Sequence, residues 1–446
     1  MTFRPLPQTP ADRLQVSSAP LRAVIRLVTG LAERFGFWSD PMKGAAAEAG
    51  EMGALDNLYW IHKTRHPITR AEPGVDAQAL AGFDPAQITL PEGFETGASL
   101  SFGACGDILR SPGIDGSQDR IYENIAPLLF GQDVAYANFE SPVTRQPLVE
   151  EVIGDAGPPI ECCSPTQFDI LASHKGRYFD VLNTTSNHTF DMGVEGVETT
   201  QEMLETHGIL GTGTQRRPDD YGRARVMERN GIRLGFVSDC FGLNGHKVPD
   251  AEAYRIHVSD LLPRRGAPDL SLLERQIADA KAQGCDFIIA SVHWGFEFEF
   301  FPRARQVHAL RALVEAGADA VIAHHPHVIQ PLEIYRPERD ADRQAVIAYS
   351  LGSLTWGFMA PHIALSLVLN LKLAKGRIGG VDKVLIAGAK VTPVVRTHGE
   401  EAGQEVTRIE PLADLEAGKA VLGAPDVARL SGHAGLVLGQ GWRRGA

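Results

Sequence analysis

From Ala98 to Ser350 the chain keeps returning to one pattern: a short apolar run, a polar cluster, then a stretch of helical periodicity. The runs are SLSFGAC, DVAYANF, DVLNTT, IRLGFVS, DFIIASV, ADAVIA and AVIAYS. Runs this short and this apolar are those of strands covered on both faces. Between them, Arg120 to Phe130, Val194 to His207, Leu272 to Ala282 and Arg303 to Ala316 carry apolar residues at helical spacing, with Gly208 and Gly317 where helices end. Strand alternating with helix predicts an α/β layered fold. The runs Ala364 to Leu373, Lys383 to Ala387 and Lys390 to Val395 read as an antiparallel return.

Five of the runs end in residues able to hold a metal ion. These are Asp107 after Gly106, Asn138 and Glu140, Asn187 and His188, His293, and the group His324, His325 and His327. Strand ends are where α/β folds place ligand sites, so the five edges are expected to meet in one basin. A lone histidine after a strand is more often a packing residue, but five such edges together reverse that reading. Carboxylate oxygen, imidazole nitrogen and an amide carbonyl suit Mn, Fe or Zn better than Ca or Mg. Two divalent ions would outweigh the carboxylates of Asp107 and Glu140 and make a positive pocket, able to attract an anion or to lower the pKa of bound water.

That pocket would stand out in a chain with 43 Lys and Arg against 55 Asp and Glu, a net charge of −12, which argues against a nucleic-acid partner. No window approaches the roughly 20 apolar residues of a membrane span, and the opening MTFRPLPQTPADRL lacks a basic segment followed by an apolar one, which points to the cytoplasm. Five cysteines without C-x-x-C spacing read as reduced and mostly buried. Residues 1–97 have a different texture and read as a mainly helical extension, 98–396 as the α/β domain, and 397–446 as a partly ordered tail. In the extension, the stripe Leu21, Ile25, Val28, Leu31 and Phe35 is expected to dock on the main domain. The arginines Arg22, Arg26 and Arg34 beside it also allow a membrane-surface helix. Asp191 and Gly193 read as the cap of a following helix, and Gly211 to Thr214 as a plain turn.

The stretches GDILR at Asp107, ANFESPV at Asn138, SNHTFDMG at Asn187, SVHWGFEFE at His293, AGADAVIAHHPHVIQ at His325 and YSLGS at Ser350 resemble the CapA (PgsA) poly-γ-glutamate synthesis family. That family is similar to the calcineurin-like metallophosphoesterases. The resemblance runs from about Leu100 to Gly357 and implies a four-layer α-β-β-α sandwich. It implies metal at Asp107, Glu140, Asn187, His293, His325 and His327, with two ions, and a proton donor at His188. Catalysis would rest on His188 with Asp107 and Glu140, and Asn138, Glu297 and His324 would lie near the substrate. Asp107-Ile108-Leu109 departs from the usual Asp-x-His, and Asn138 with Glu140 replaces the usual second carboxylate pattern, so one metal position is short of a ligand. Ser186 and Ser353 stand where asparagines are usual. The implied activity is metal-dependent hydrolysis of a phosphoester or peptide-like anionic substrate, small or polymeric, in poly-γ-glutamate or capsule-type polymer biosynthesis. Two alternatives keep the resemblance: a peptide epimerase working by α-proton abstraction, and a non-catalytic polymer-assembly component.

Overall fold

The structure, a computed structural model, describes residues 6–150, 152–155, 157–419 and 424–445. The first five residues of the opening segment and residues 420–423 of the predicted tail lie outside the described residues. All seven apolar runs are strands. The chain lays down β1 (Glu95–Ile108), β2 (Val134–Phe139), β3 (Val181–Asn183) and β4 (Leu210–Thr212) in a first sheet. It then builds a second from β5 (Arg225–Arg229), β6 (Ile232–Cys240), β7 (Phe287–His293), β8 (Ala320–His324), β9 (Leu332–Tyr335) and β10 (Ala345–Ala348). It returns to the first with β11 (Leu365–Ile378), β12 (Val381–Glu401) and β13 (Gln404–Pro411). The seven-stranded order is β13-β12-β11-β1-β2-β3-β4 and the six-stranded order is β9-β10-β8-β7-β6-β5. Neighbours are parallel from β1 through β4 and from β6 through β7 and β8 to β10, and antiparallel in the β11 to β13 return.

Side-chain alternation makes these sheets a sandwich. Phe102, Val134 and Tyr136 of one sheet and Phe236, Ile289 and Ile322 of the other share a single core between them. The opposite faces are covered by helices. On β2 and β3, Ala135, Ala137 and Leu182 meet Phe168 and Leu171 of α3 (Pro165–Ala172) and Leu204 of α4 (Gly193–Thr206). On β7 and β8, Ala290, Val292 and Val321 meet Ile277 of α5 (Ser271–Ala282) and Leu310 and Leu313 of α6 (Ala304–Ala316). The result is the α-β-β-α layering expected.

Three expectations are corrected. Arg120 to Phe130 is a run of turns with one short 3₁₀ piece, Ala126–Leu128, and not an α-helix. Ile121, Tyr122, Ile125 and Leu129 are buried as the spacing required, but Pro127 has no backbone N–H with which to continue a helix. The strip on α1 (Ala19–Phe35) does not dock as a whole: among its residues only Ala32 is buried. The boundary at residue 397 falls inside β12, which runs on through buried Arg396, Thr397 and His398 because these polar groups find partners, His398 Nδ1 lying 3.2 Å from Thr407 Oγ1 on β13. Beyond it, α7 (Ala424–Leu438) buries Leu430, Ala434, Val437 and Leu438 in the central core, at the i, i+4, i+7 spacing of an inward face.

Candidate metal centre

The parallel strands of both sheets end at the same rim, and there the polar clusters meet. Asp107 is the penultimate residue of β1, Asn138 lies near the end of β2 with Glu140 just beyond it, His293 ends β7 and His324 ends β8. Asn187 and His188 follow β3 by a short turn, and His325 and His327 follow β8. Close approach builds the floor: Asp107 N–H donates to Gly352 O at 2.9 Å, and a Cβ at position 106 would stand 1.9 Å from that carbonyl oxygen, so only glycine fits before Asp107. The same loop brings Ser353 Oγ to 2.6 Å from His327 Nδ1. His325 and His327 both hold left-handed backbone, φ 96° and 55°, a conformation that non-glycine residues adopt at a cost and that clusters at ligand sites.

Candidate ligand atoms of three residues at a time come within 4.8 Å of one another in three overlapping sets: Asp107 with Glu140 and His327, Glu140 with His293 and His325, and Glu297 with His325 and His327. Glu140 belongs to two of them. It is wholly buried, and neither carboxylate oxygen has a hydrogen-bond partner. His293 Nε2 is 3.4 Å from Glu140 Oε1 and 2.8 Å from Asn187 Oδ1. His325 Nδ1 is buried without a partner as well. A buried carboxylate left unpaired costs several kcal/mol, so this donor set fits a group of positive charge better than it fits empty protein.

The titration shifts agree with that fit. Burial, followed by the negative charges of Asp107, Glu161, Glu297 and Asp191, pushes Glu140 well above the ordinary carboxylate value. Burial would raise Asp107 too, but its bond to His324 and the charges of His324, His327 and His293 outweigh it and hold the group low. Burial holds His293, His325 and His327 below the usual imidazole value, so their nitrogen lone pairs are available to a cation.

Other residues set the geometry from behind. Asn138 Nδ2 donates to Asp107 Oδ1 at 3.0 Å and lies 3.2 Å from His293 Nδ1, while Asn183 Nδ2 donates to Asn138 Oδ1 at 2.7 Å. His324 Nδ1 is 2.9 Å from Asp107 Oδ1. Position 109, where the family pattern puts an imidazole, is instead a buried core leucine, and the imidazole against Asp107 comes from β8. Asn138 and His324 are fully buried behind Asp107 and His293 and do not line the cavity above them, whereas Glu297 does. His188 Nδ1 lies 2.7 Å from Asp191 Oδ2; a carboxylate can only accept, so Nδ1 carries the proton. Asp191, read from sequence as a helix cap, binds His188 and accepts from Glu161 N–H at 2.8 Å. Its signal was the i, i+3 spacing to His188. Asn183 had none beyond its place at a strand end.

A cavity of about 390 Å³ opens over this group, lined by Asn187, His188, Glu297, His325, His327 and Trp356. Its other wall is the N-terminal extension: Leu21 and Ile25 of α1, and Tyr59, Trp60 and Lys63 of α2 (Ala54–Arg65). Trp60 Nε1 donates to Glu297. A larger cavity of about 640 Å³, around Arg13, Arg110 and Ser111, includes none of the ligand set.

Comparison with known proteins agrees with the resemblance of the motifs. A family model described as bacterial capsule synthesis protein PGA_cap matches residues 101–356. The chain is 28% identical over 280 residues to the PGA biosynthesis protein CapA of Bacillus subtilis (strain 168), covering 62% of this chain and 67% of that one. It is 28% identical over 242 residues to the capsule biosynthesis protein CapA of Bacillus anthracis, covering 53% and 54%. The match thus spans between half and two thirds of these relatives. Among solved structures, the calcineurin-like phosphoesterase YfkN of Bacillus subtilis superposes loosely, with a TM-score of 0.34 and 15% identity, covering 76% of this chain and 96% of that chain.

Proposed function

Because the chain belongs to the family of the bacterial capsule synthesis protein PGA_cap, we propose that it is a metal-dependent hydrolase acting on an anionic phosphoester or peptide-like substrate in the making of a poly-γ-glutamate or capsule-type polymer. The observation that supports this most is Glu140, buried, unpartnered and common to two ligand sets. Asp107, Glu140 and His327 would hold one divalent ion, and Glu140, His293 and His325, with Asn187, the second. Mn, Fe or Zn suits such mixed oxygen and nitrogen donors. Bound there, the ions supply Lewis acidity and a water of lowered pKa.

The chain's own residues do the rest. Hydrolysis adds water across the scissile bond: its oxygen joins phosphorus or acyl carbon, and the leaving oxygen or nitrogen departs with a proton. His188 acts as the imidazolium: with its Nδ1 proton held on Asp191 it gives the Nε2 proton to the leaving atom, and the proton released by the attacking water restores it. Asn138 and His324 hold Asp107 and His293 in place. The cavity wall from Tyr59, Trp60 and Lys63 shapes the approach of the substrate.

Elemental analysis of the purified protein beside His293→Ala and His325→Ala, with hydrolysis assays on aryl phosphomonoesters, aryl phosphodiesters and poly-γ-glutamate, tests this. Both variants should lose metal and turnover together. Asp191→Asn should keep its metal and lose up to about 10⁴-fold in kcat, by analogy with removal of a carboxylate that fixes a histidine tautomer. Wild-type protein free of transition metal, with no turnover on added Mn or Zn, removes the basis of the reading. Deuterium exchange at a peptide α-carbon without hydrolysis would assign the site to epimerisation instead.

A further inference from the structure

The cavity above the candidate metal centre changes chemistry between its floor and its walls. On the floor lie Glu297, His325 and His327 of the ligand set, with Asn187 and His188. The walls include Leu14, Val16, Met52, Trp60, Ile153 and Phe296. Val16 and Phe296 are buried and the other four half-buried, and Leu14 pairs with Ile153 in a short parallel ladder, so separate stretches of chain hold this apolar surface in place. A volume of about 390 Å³ is that of a small-molecule site, and apolar walls add to binding only when an apolar group displaces their water.

Charge points the same way. Outside the ligand set, the charged side chains among the described lining residues are Asp56, Lys63 and Asp155. Lys63 Nζ is engaged 3.2 Å from Glu299 Oε1, Asp56 Oδ2 lies 2.5 Å from Arg264 Nη2, and Asp155 Oδ2 accepts from Ser17 N–H at 2.6 Å. A substrate with anionic groups beyond the one at the metals would meet two more carboxylates and an ammonium already committed to a buried partner. We propose that the substrate carries a single anionic group, seated at the metal centre, joined to an uncharged apolar group that fills the cavity against Leu14, Met52 and Trp60. The inference rests on the reading of the rim as a metal centre and narrows its substrate class to an alkyl- or aryl-substituted phosphoester or acyl compound. A stretch of poly-γ-glutamate, with a carboxylate on every residue, does not fit these walls.

Titration calorimetry of the full chain loaded with Mn, using methylphosphonate and n-octylphosphonate, tests this. The two share one head group and neither has a bond that hydrolysis would break, so only the alkyl group differs. Each methylene taken out of water contributes up to about fourfold, and octylphosphonate should bind at least about 50-fold more tightly than methylphosphonate. Leu14→Asp and Met52→Asp, both at half-buried positions, should each cut that ratio at least about tenfold, with methylphosphonate affinity, Mn content and circular dichroism unchanged. A γ-linked glutamate trimer should bind more weakly than octylphosphonate. The proposal is overturned if the two phosphonates bind equally, if the preference for octyl survives both variants, or if the trimer binds more tightly; in each case bound Mn and bound methylphosphonate leave the metal centre standing. Protein that takes up neither Mn nor methylphosphonate removes the metal reading and this proposal together.

Discussion

Asp239 sits on β6 without solvent contact and without a cationic neighbour. Its Oδ1 accepts from Cys240 N–H at 2.8 Å, and its Oδ2 has no partner. Burial raises its pKa, the hydrogen bonds from Ser259 and Cys240 only partly offset this, and the group is held at about 7 against an ordinary value of 3.8. The sign of the consequence follows from proton counting. Between about pH 4 and pH 7 the folded chain keeps a proton on Asp239 that the unfolded chain has released, so stability is full below that window and falls as pH rises through it, by about 1.4 kcal/mol per unit. Asp239→Asn removes this contribution and leaves the imidazoles and carboxylates of the metal centre unchanged in both proteins. Urea midpoints of wild type and variant, followed from pH 4.5 to pH 7.5, should therefore diverge in favour of the variant as pH rises. Parallel curves would show that Asp239 ionises freely in the fold.

Glu299 fastens the N-terminal extension to the loop after β7. Its Oε1 accepts from Lys63 Nζ at 3.2 Å, Tyr59 Oη at 3.0 Å and Arg303 Nη2 at 2.9 Å, and its Oε2 accepts from Arg303 Nε at 3.0 Å. Backbone bonds join the same pieces, Ile68 N–H to Phe298 O and Phe300 N–H to Ile68 O, both at 2.9 Å. Burial would raise Glu299, but the charges of Arg303 and Lys63 outweigh it and keep the carboxylate ionised. Glu299→Ala strands two buried cations and should cost about 3–5 kcal/mol in urea unfolding, with early protease cleavage in the extension. A loss below about 1 kcal/mol would mean that water replaces the carboxylate. The extension shows which elements could be read in advance. The strands were legible because two-sided burial demands unbroken apolar runs, and the ligand clusters because they follow those runs. Tyr59, Trp60 and Lys63 were not, since their role depends on Glu297 and Glu299, some 240 positions away. β13 and α7 were missed where buried polar residues in β12 ended the apolar run and made the chain look like a tail.

At the rim the candidate ligands are divided between the two sheets: Asp107 and Glu140 come from the first, His293, His325 and His327 from the second. A cation bound there clamps the sandwich across its open edge, so occupancy should appear as stability as well as activity. Binding to the folded chain alone adds RT ln(1 + [M]/Kd), about 2.7 kcal/mol at a hundred times Kd, which raises Tm by a few degrees and is reversed by a chelator. The shared carboxylate makes the expectation sharper than a simple count of ligands. Asp107 belongs to one of the two sets containing Glu140, so Asp107→Asn should lose about one equivalent of metal and keep part of the Tm shift. Glu140 belongs to both, so Glu140→Gln should lose both equivalents and the whole shift, although it removes a charge that burial disfavours and should stabilise the metal-free protein. Metal analysis and thermal scans of the three proteins, with and without Mn or Zn, decide it: Glu140→Gln retaining metal in proportion with Asp107→Asn would mean that two separate sites, and not one carboxylate bridging the sheets, hold the rim together.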